Sequence, residues 1–204
     1  MSTTRLEAFS DGVIAILITI MVLELKVPHG MEWAAVQPTV FTLLLYVMSF
    51  VYLGIYWTNH HHMFHATDHV NGAVLWANLH LLFWLSLVPF TTAWMGEKHF
   101  AATPTAVYGG VLLMAAIAYW ILLHSILRCE GPDSVLRRAV GADWKGLISP
   151  LFYVAAIAVA PVKPAISWAL YALVALIWII PDRRIERVLA EGRAPATRGP
   201  HAAA

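Results

Sequence analysis

Four apolar blocks of 19 to 26 residues, followed by two of 16, leave this chain almost no way to fold in water. They run Phe9–Val27, Val36–Trp57, Val70–Met95, Thr105–Leu127, Leu147–Val162 and Ala165–Ile180, and they hold nearly all of the apolar side chains. A hydrocarbon core of about 30 Å is crossed by about 20 helical residues. The remainder is too small and polar for a second, soluble core. Charged residues make up 12% of the 204-residue chain, about half the share of an ordinary soluble domain, which argues against a soluble enzyme. A formal charge of +1 without a long basic run argues against nucleic acid as a partner. One cysteine, Cys129, excludes a disulfide framework and any CxxC metal site.

The expected fold is all-α: a polytopic membrane protein of six transmembrane helices in a lipid bilayer, with residues 1–185 as the helical unit. The two short blocks flank Lys163-Pro164, which predicts a tight helical hairpin rather than one span. The first block is not expected to be a cleaved signal, because Arg5, Glu7 and Asp11 interrupt its start and no small-residue cleavage site follows Leu23. If the N-terminus is inside, inner segments carry Arg5, Arg128, Arg137, Arg138, Lys145, Arg183, Arg184, Arg187, Arg193 and Arg198, and outer segments only Lys26, Lys98 and Lys163. That distribution places both termini in the cytoplasm. Residues 186–204, rich in Ala, Gly and Pro, read as a disordered tail. No internal repeat pairs the two halves.

The first block departs most from a plain lipid-facing helix. Thr4 and Glu7 fit a capping box, which predicts a helix start near Arg5. At 3.6 residues per turn, Phe9, Gly12, Ile16, Thr19, Ile20, Leu23 and Val27 form one stripe, and Asp11 points away from it. A carboxylate at the membrane's inner edge is costly unless paired. Asp11 therefore either faces other protein or, with Ser10, anchors the helix start among lipid headgroups.

Histidines cluster after the second block, in TNHHHMFHATDH at 58–69. On a continuous helix His61, His65 and His69 would share a face. Two such histidines bind zinc when a third ligand is present, so these three are the candidate metal ligands, although no HExxH motif accompanies them. Hydrogen bonding or a pH response is the competing reading. Asn78, His80, Ser86, His124 and Ser125 lie within the third and fourth blocks, and interhelical hydrogen bonds of about 0.6–2 kcal/mol each account for most of them. His80 and His124 also admit a haem-ligand reading. Thr105-Ala106-Val107-Tyr108-Gly109-Gly110 is only superficially similar to the TVGYG filter of potassium channels: the glycine before the tyrosine is missing, and close helix packing explains the small residues.

The run Arg5-Leu6-Glu7-Ala8-Phe9-Ser10-Asp11 resembles the RxxxFSD signature that opens the first helix of the transmembrane protein 175 family, the endolysosomal potassium channels and their prokaryotic relatives. The similarity continues in Thr19, in Val22–Pro28, in Trp57 with His60-His61, in Asn78 and in Val88-Pro89-Phe90-Thr91-Thr92, covering roughly residues 5–95. A single six-helix unit resembles the prokaryotic branch, which forms homotetramers.

The resemblance implies a cation channel without TVGYG, its pore lined by the first helix of each of four subunits. It assigns the hydrophobic constriction to Ile16, with narrowing at Thr19 or Ile20 and at Leu23. It also implies a structural polar network of Arg5, Ser10, Asp11, Trp57, His60 or His61, and Asn78. No cofactor is implied; the permeating ion is potassium, preferred modestly over sodium. A ring of four isoleucines would gate by dewetting. Glu24 outside and carboxylates inside would draw cations to the mouths. A secondary transporter or proton pathway through Asp11 and the histidines, and a membrane haem protein, are the alternative functions.

Overall fold

The computed structural model describes residues 2–28, 30, 32–98, 101–132, 134, 136–137 and 144–179. The tail expected at 186–204 lies outside the described residues. Among the described residues every regular element is a helix: α1 (Thr3–Met21), extended by a short 3₁₀ turn at Val22–Glu24, then α2 (Trp33–His65), α3 (Gly72–Ser86), α4 (Val88–Glu97), α5 (Ala102–Glu130), α6 (Trp144–Val159) and α7 (Pro164–Ile179). Among the described residues four stretches are long and apolar enough to cross a membrane: Thr3–Glu24, Thr39–His65, Gly72–Glu97 and Ala102–Glu130. The last two helices are apolar and 16 residues long.

The local signals explain most of the boundaries. Asn71 caps α3 by accepting the Val74 N–H at 3.0 Å. Pro89 sits in the first turn of α4, where its missing N–H breaks the ladder, so α3 and α4 form one span jointed at Leu87. Thr91 and Thr92 turn their hydroxyls back to the Val88 carbonyl, at 3.2 and 2.7 Å. Residues 160–163 make the hairpin turn, and Pro164 opens α7, where the first position tolerates it. The expected capping box at Thr4 does not form: α1 begins at Thr3 with Ser2 as N-cap, and no side chain caps it. Glu7 is engaged by α2 instead.

The core runs along α5, which packs against α3 and α4 on one side and α6 and α7 on another, with α2 touching α4 and α7. It carries buried phenols, and each needs a partner because no water reaches it. The Tyr52 hydroxyl donates to the Tyr171 carbonyl at 2.6 Å, and the Tyr171 hydroxyl to the Thr105 carbonyl at 3.0 Å. Ser49 bridges Thr92 at 2.7 Å and Tyr108 at 3.0 Å, tying α2 to α4 and α5.

The stretch Thr105–Gly110 is thus an ordinary part of α5. Its Gly109 lets the Tyr171 ring lie against the helix backbone. A Cβ at Gly109 would meet the Tyr171 ring at 2.8 Å and the Ile157 side chain at 2.9 Å, besides overlapping the Tyr171 hydroxyl. Gly109→Ala is expected to lower stability by about 1–3 kcal/mol through overpacking, read as a lower unfolding midpoint in detergent. Gly110→Ala, with open space at its Cβ, serves as the control.

A polar cluster behind an uncovered apolar stripe

Helix α1 presents two different faces. Leu6, Ser10, Ile14, Leu17 and Met21 are buried against the rest of the chain. On the opposite side Phe9, Gly12, Ile16, Thr19, Ile20, Leu23 and Val27 are all exposed, with Ile16 at 60% and Leu23 at 78%. No other part of the described chain covers this stripe.

The buried face carries a directed chain of hydrogen bonds. Ser10 Oγ donates to the Leu6 carbonyl at 2.9 Å, so its lone pairs are left to accept. Asn78 Nδ2 on α3 donates to Ser10 Oγ at 2.9 Å. The Asn78 carbonyl oxygen can then only accept, and His60 Nε2 on α2 lies 2.8 Å from it, which assigns the proton to Nε2. Ser10, His60 and Asn78 are fully buried, and three helices meet at this point.

A second pair of contacts flanks this chain. The Trp57 indole N–H donates to Asp11 Oδ1 at 3.0 Å, and His61 Nδ1 lies 2.7 Å from Glu7 Oε1. The ambiguity between His60 and His61 resolves by helix geometry: adjacent residues point about 100° apart. His60 reaches Asn78 and His61 reaches Glu7. Glu7, read from sequence as a cap, lies one turn before Asp11, and that spacing was the available signal for a shared face.

Two groupings expected from sequence are not assembled. Arg5 is exposed, and its side chain makes no hydrogen bond or ion pair among the described residues. It precedes Ile16 by about three turns of 3.6 residues and so falls on the uncovered stripe, away from the Asn78 cluster. The candidate metal ligands His61, His65 and His69 are also separated. Helix α2 ends at His65, where the His61 and His65 rings stack at 5.8 Å, and His69 lies in the following loop, 3.8 Å from Glu130. No group of three or more metal-ligating side chains exists among the described residues. His80 accepts the Trp84 indole N–H at 2.9 Å and His124 Nδ1 lies 2.9 Å from the Trp120 carbonyl, so each is engaged within its own helix.

Comparison with known proteins agrees with the position of the signature. Residues 5–89 match the family model described as the endosomal/lysosomal potassium channel TMEM175. A protein of Chryseobacterium sp. named as a potassium channel is 58% identical over 191 residues, covering 94% of this chain and all of that one. Another so named, from Streptomyces collinus, is 38% identical over 61% of this chain and 64% of its own length. The crystal structure of a homologue, from Chamaesiphon minutus, of the lysosomal potassium-selective channel TMEM175 superposes with a TM-score of 0.73 at 29% identity, covering 88% of this chain and 97% of that one. These relatives are channels by name, not enzymes. With a bilayer-length set of apolar helices, the RxxxFSD helix held at its buried face by Asn78, and a full-length relative at 58% identity, this membrane protein belongs to the TMEM175 family.

Proposed function

We propose that four copies of this chain form a potassium-permeable channel in a prokaryotic plasma membrane, with α1 of each copy at the axis. The observation that carries this reading is the uncovered stripe of α1. A helix whose Ser10 and Asp11 are bonded to its own subunit, while Ile16, Ile20, Leu23 and Val27 face outward, is built to be completed by other copies. The names of the Chryseobacterium and Streptomyces relatives support potassium as the ion. In this reading the four bilayer-length stretches and the two 16-residue helices make six membrane crossings, and the basic residues collecting at one side put both termini in the cytoplasm.

In this arrangement the ring of Ile16 is the hydrophobic constriction, with further narrowing at Thr19 or Ile20 and at Leu23. An apolar neck excludes hydrated ions until it widens. Thr19 adds a directional feature: its hydroxyl donates to the Ile16 carbonyl at 2.9 Å, leaving only lone pairs to face the axis. Four such oxygens would favour a cation that sheds part of its water, and potassium sheds it more readily than sodium. The polar cluster of Ser10, Asn78 and His60, with Asp11–Trp57 beside it, holds α1 in register and does not touch the ion.

Cross-linking tests the arrangement directly. A cysteine at exposed Ile20 in a Cys129→Ser background is expected to form an intersubunit disulfide in membranes, while one at Ile14, 1% exposed, should not. Liposomes holding the purified protein should release potassium. A monomer in the bilayer, or cross-linking at Ile14 in place of Ile20, would overturn the reading.

A further inference from the structure

The inner ends of α1, α2, α3 and α5 meet at the loop of residues 66–71, and this loop is held from both sides. Glu130, the last residue of α5, has a side chain only 7% exposed. Its Oε1 accepts two consecutive backbone N–H groups, from Asp68 at 3.0 Å and from His69 at 2.7 Å. These donors lie beyond the end of α2, where helix geometry offers them no partner, so the carboxylate satisfies them with two charge-assisted bonds. From the other side, Thr3 in the first turn of α1 donates its hydroxyl to the Asp68 carbonyl at 3.3 Å. The peptide units around Asp68 therefore connect α5 to the inner end of α1.

We propose that Glu130 is a positioning residue for α1, acting through the 66–71 loop. The inference rests on the reading that α1 lines the pore. Between its second and third turns this end of α1 is attached to its own subunit by Glu7–His61, by the buried chain through Ser10 and by Asp11–Trp57. At its first turn the side-chain attachment is the Thr3–Asp68 bond. That bond restrains the start of the helix, and it is only as firm as the loop that Glu130 holds. Helix α5 packs chiefly against α3, α4 and α6, whereas α1 packs against α2, α3 and α4, so Glu130 gives a helix from a different packing layer mechanical purchase on α1.

The test is potassium efflux from liposomes, normalised to assembled protein, for the unmodified chain, Glu130→Ala, Glu130→Gln, Thr3→Val and the Thr3→Val/Glu130→Ala pair. Glu130→Ala should change efflux about fivefold, the factor that the net worth of one hydrogen bond gives a two-state equilibrium. Thr3→Val should move it in the same direction. Glu130→Gln, whose amide oxygen still accepts both N–H groups, should stay near the unmodified rate. The pair should match Glu130→Ala alone, because both changes cut one connection. A residue that merely stabilises the fold would alter yield and not produce this non-additivity. Unchanged efflux in Thr3→Val overturns the proposal, whether or not Glu130→Ala assembles; so do effects of the two changes that multiply. Absence of efflux from the unmodified, assembled protein would instead overturn the channel reading itself.

Discussion

Ile16→Asn is expected to raise potassium efflux from liposomes by about tenfold and to bring the potassium and sodium rates closer together. Tenfold corresponds to about 1.36 kcal/mol removed from the crossing barrier. The isoleucine is 60% exposed on the stripe of α1, one turn before Ile20 and two turns before Leu23. Four copies around an axis would form a neck that water leaves spontaneously. Asparagine has as many side-chain heavy atoms in a smaller volume, and its amide holds water in place. The substitution should cost little stability, since the side chain touches nothing in its own subunit that a polar group would disturb. Thr19→Val separates the gate from selectivity: it removes the acceptor oxygen and keeps the volume, so flux should persist while potassium preference weakens. If Ile16→Asn leaves both rates unchanged in an assembled protein, the constriction lies elsewhere on α1.

The second large effect concerns Asn78. Asn78→Ala strips the partner from two fully buried groups at once, the His60 Nε2–H and the Ser10 oxygen. Each unsatisfied group costs about 1–3 kcal/mol, so the total is several kcal/mol out of the 5–15 that ordinarily hold a domain. The unfolding midpoint in detergent should fall by on the order of 10 °C. Ser10→Ala leaves one group unsatisfied and should cost about half as much, and adding it to Asn78→Ala should cost less than the sum. The ion ratio of whatever assembles should be unchanged, because the cluster lies on the face of α1 opposite Ile16. A midpoint within about 2 °C of the unmodified protein would show that these bonds contribute nothing beyond what water or lipid provides, since one kcal/mol alone shifts a chain of this size by that much.

The apolar blocks determined, without any tertiary information, that the chain is helical and membrane-embedded: lengths of 19 to 26 residues admit little else. Periodicity likewise separated the stripe of Ile16, Ile20 and Leu23 from Asp11, because a rigid helix converts spacing into direction. The Lys163-Pro164 hairpin was legible for the same local reason: it depends on a few neighbouring residues. Partner choice was not legible. That His60 takes Asn78 while His61 takes Glu7 depends on how α2 is rotated against α1 and α3, which no single helix records. Arg5 falls outside the cluster, and His69 outside the helix of His61 and His65, because the first is turned to the open face and the second follows the end of α2. The hold of Glu130 on the loop had no sequence signal at all. It joins residues about 60 apart through backbone N–H groups, which every residue but proline carries, so only the packing of α5 beside that loop decided it.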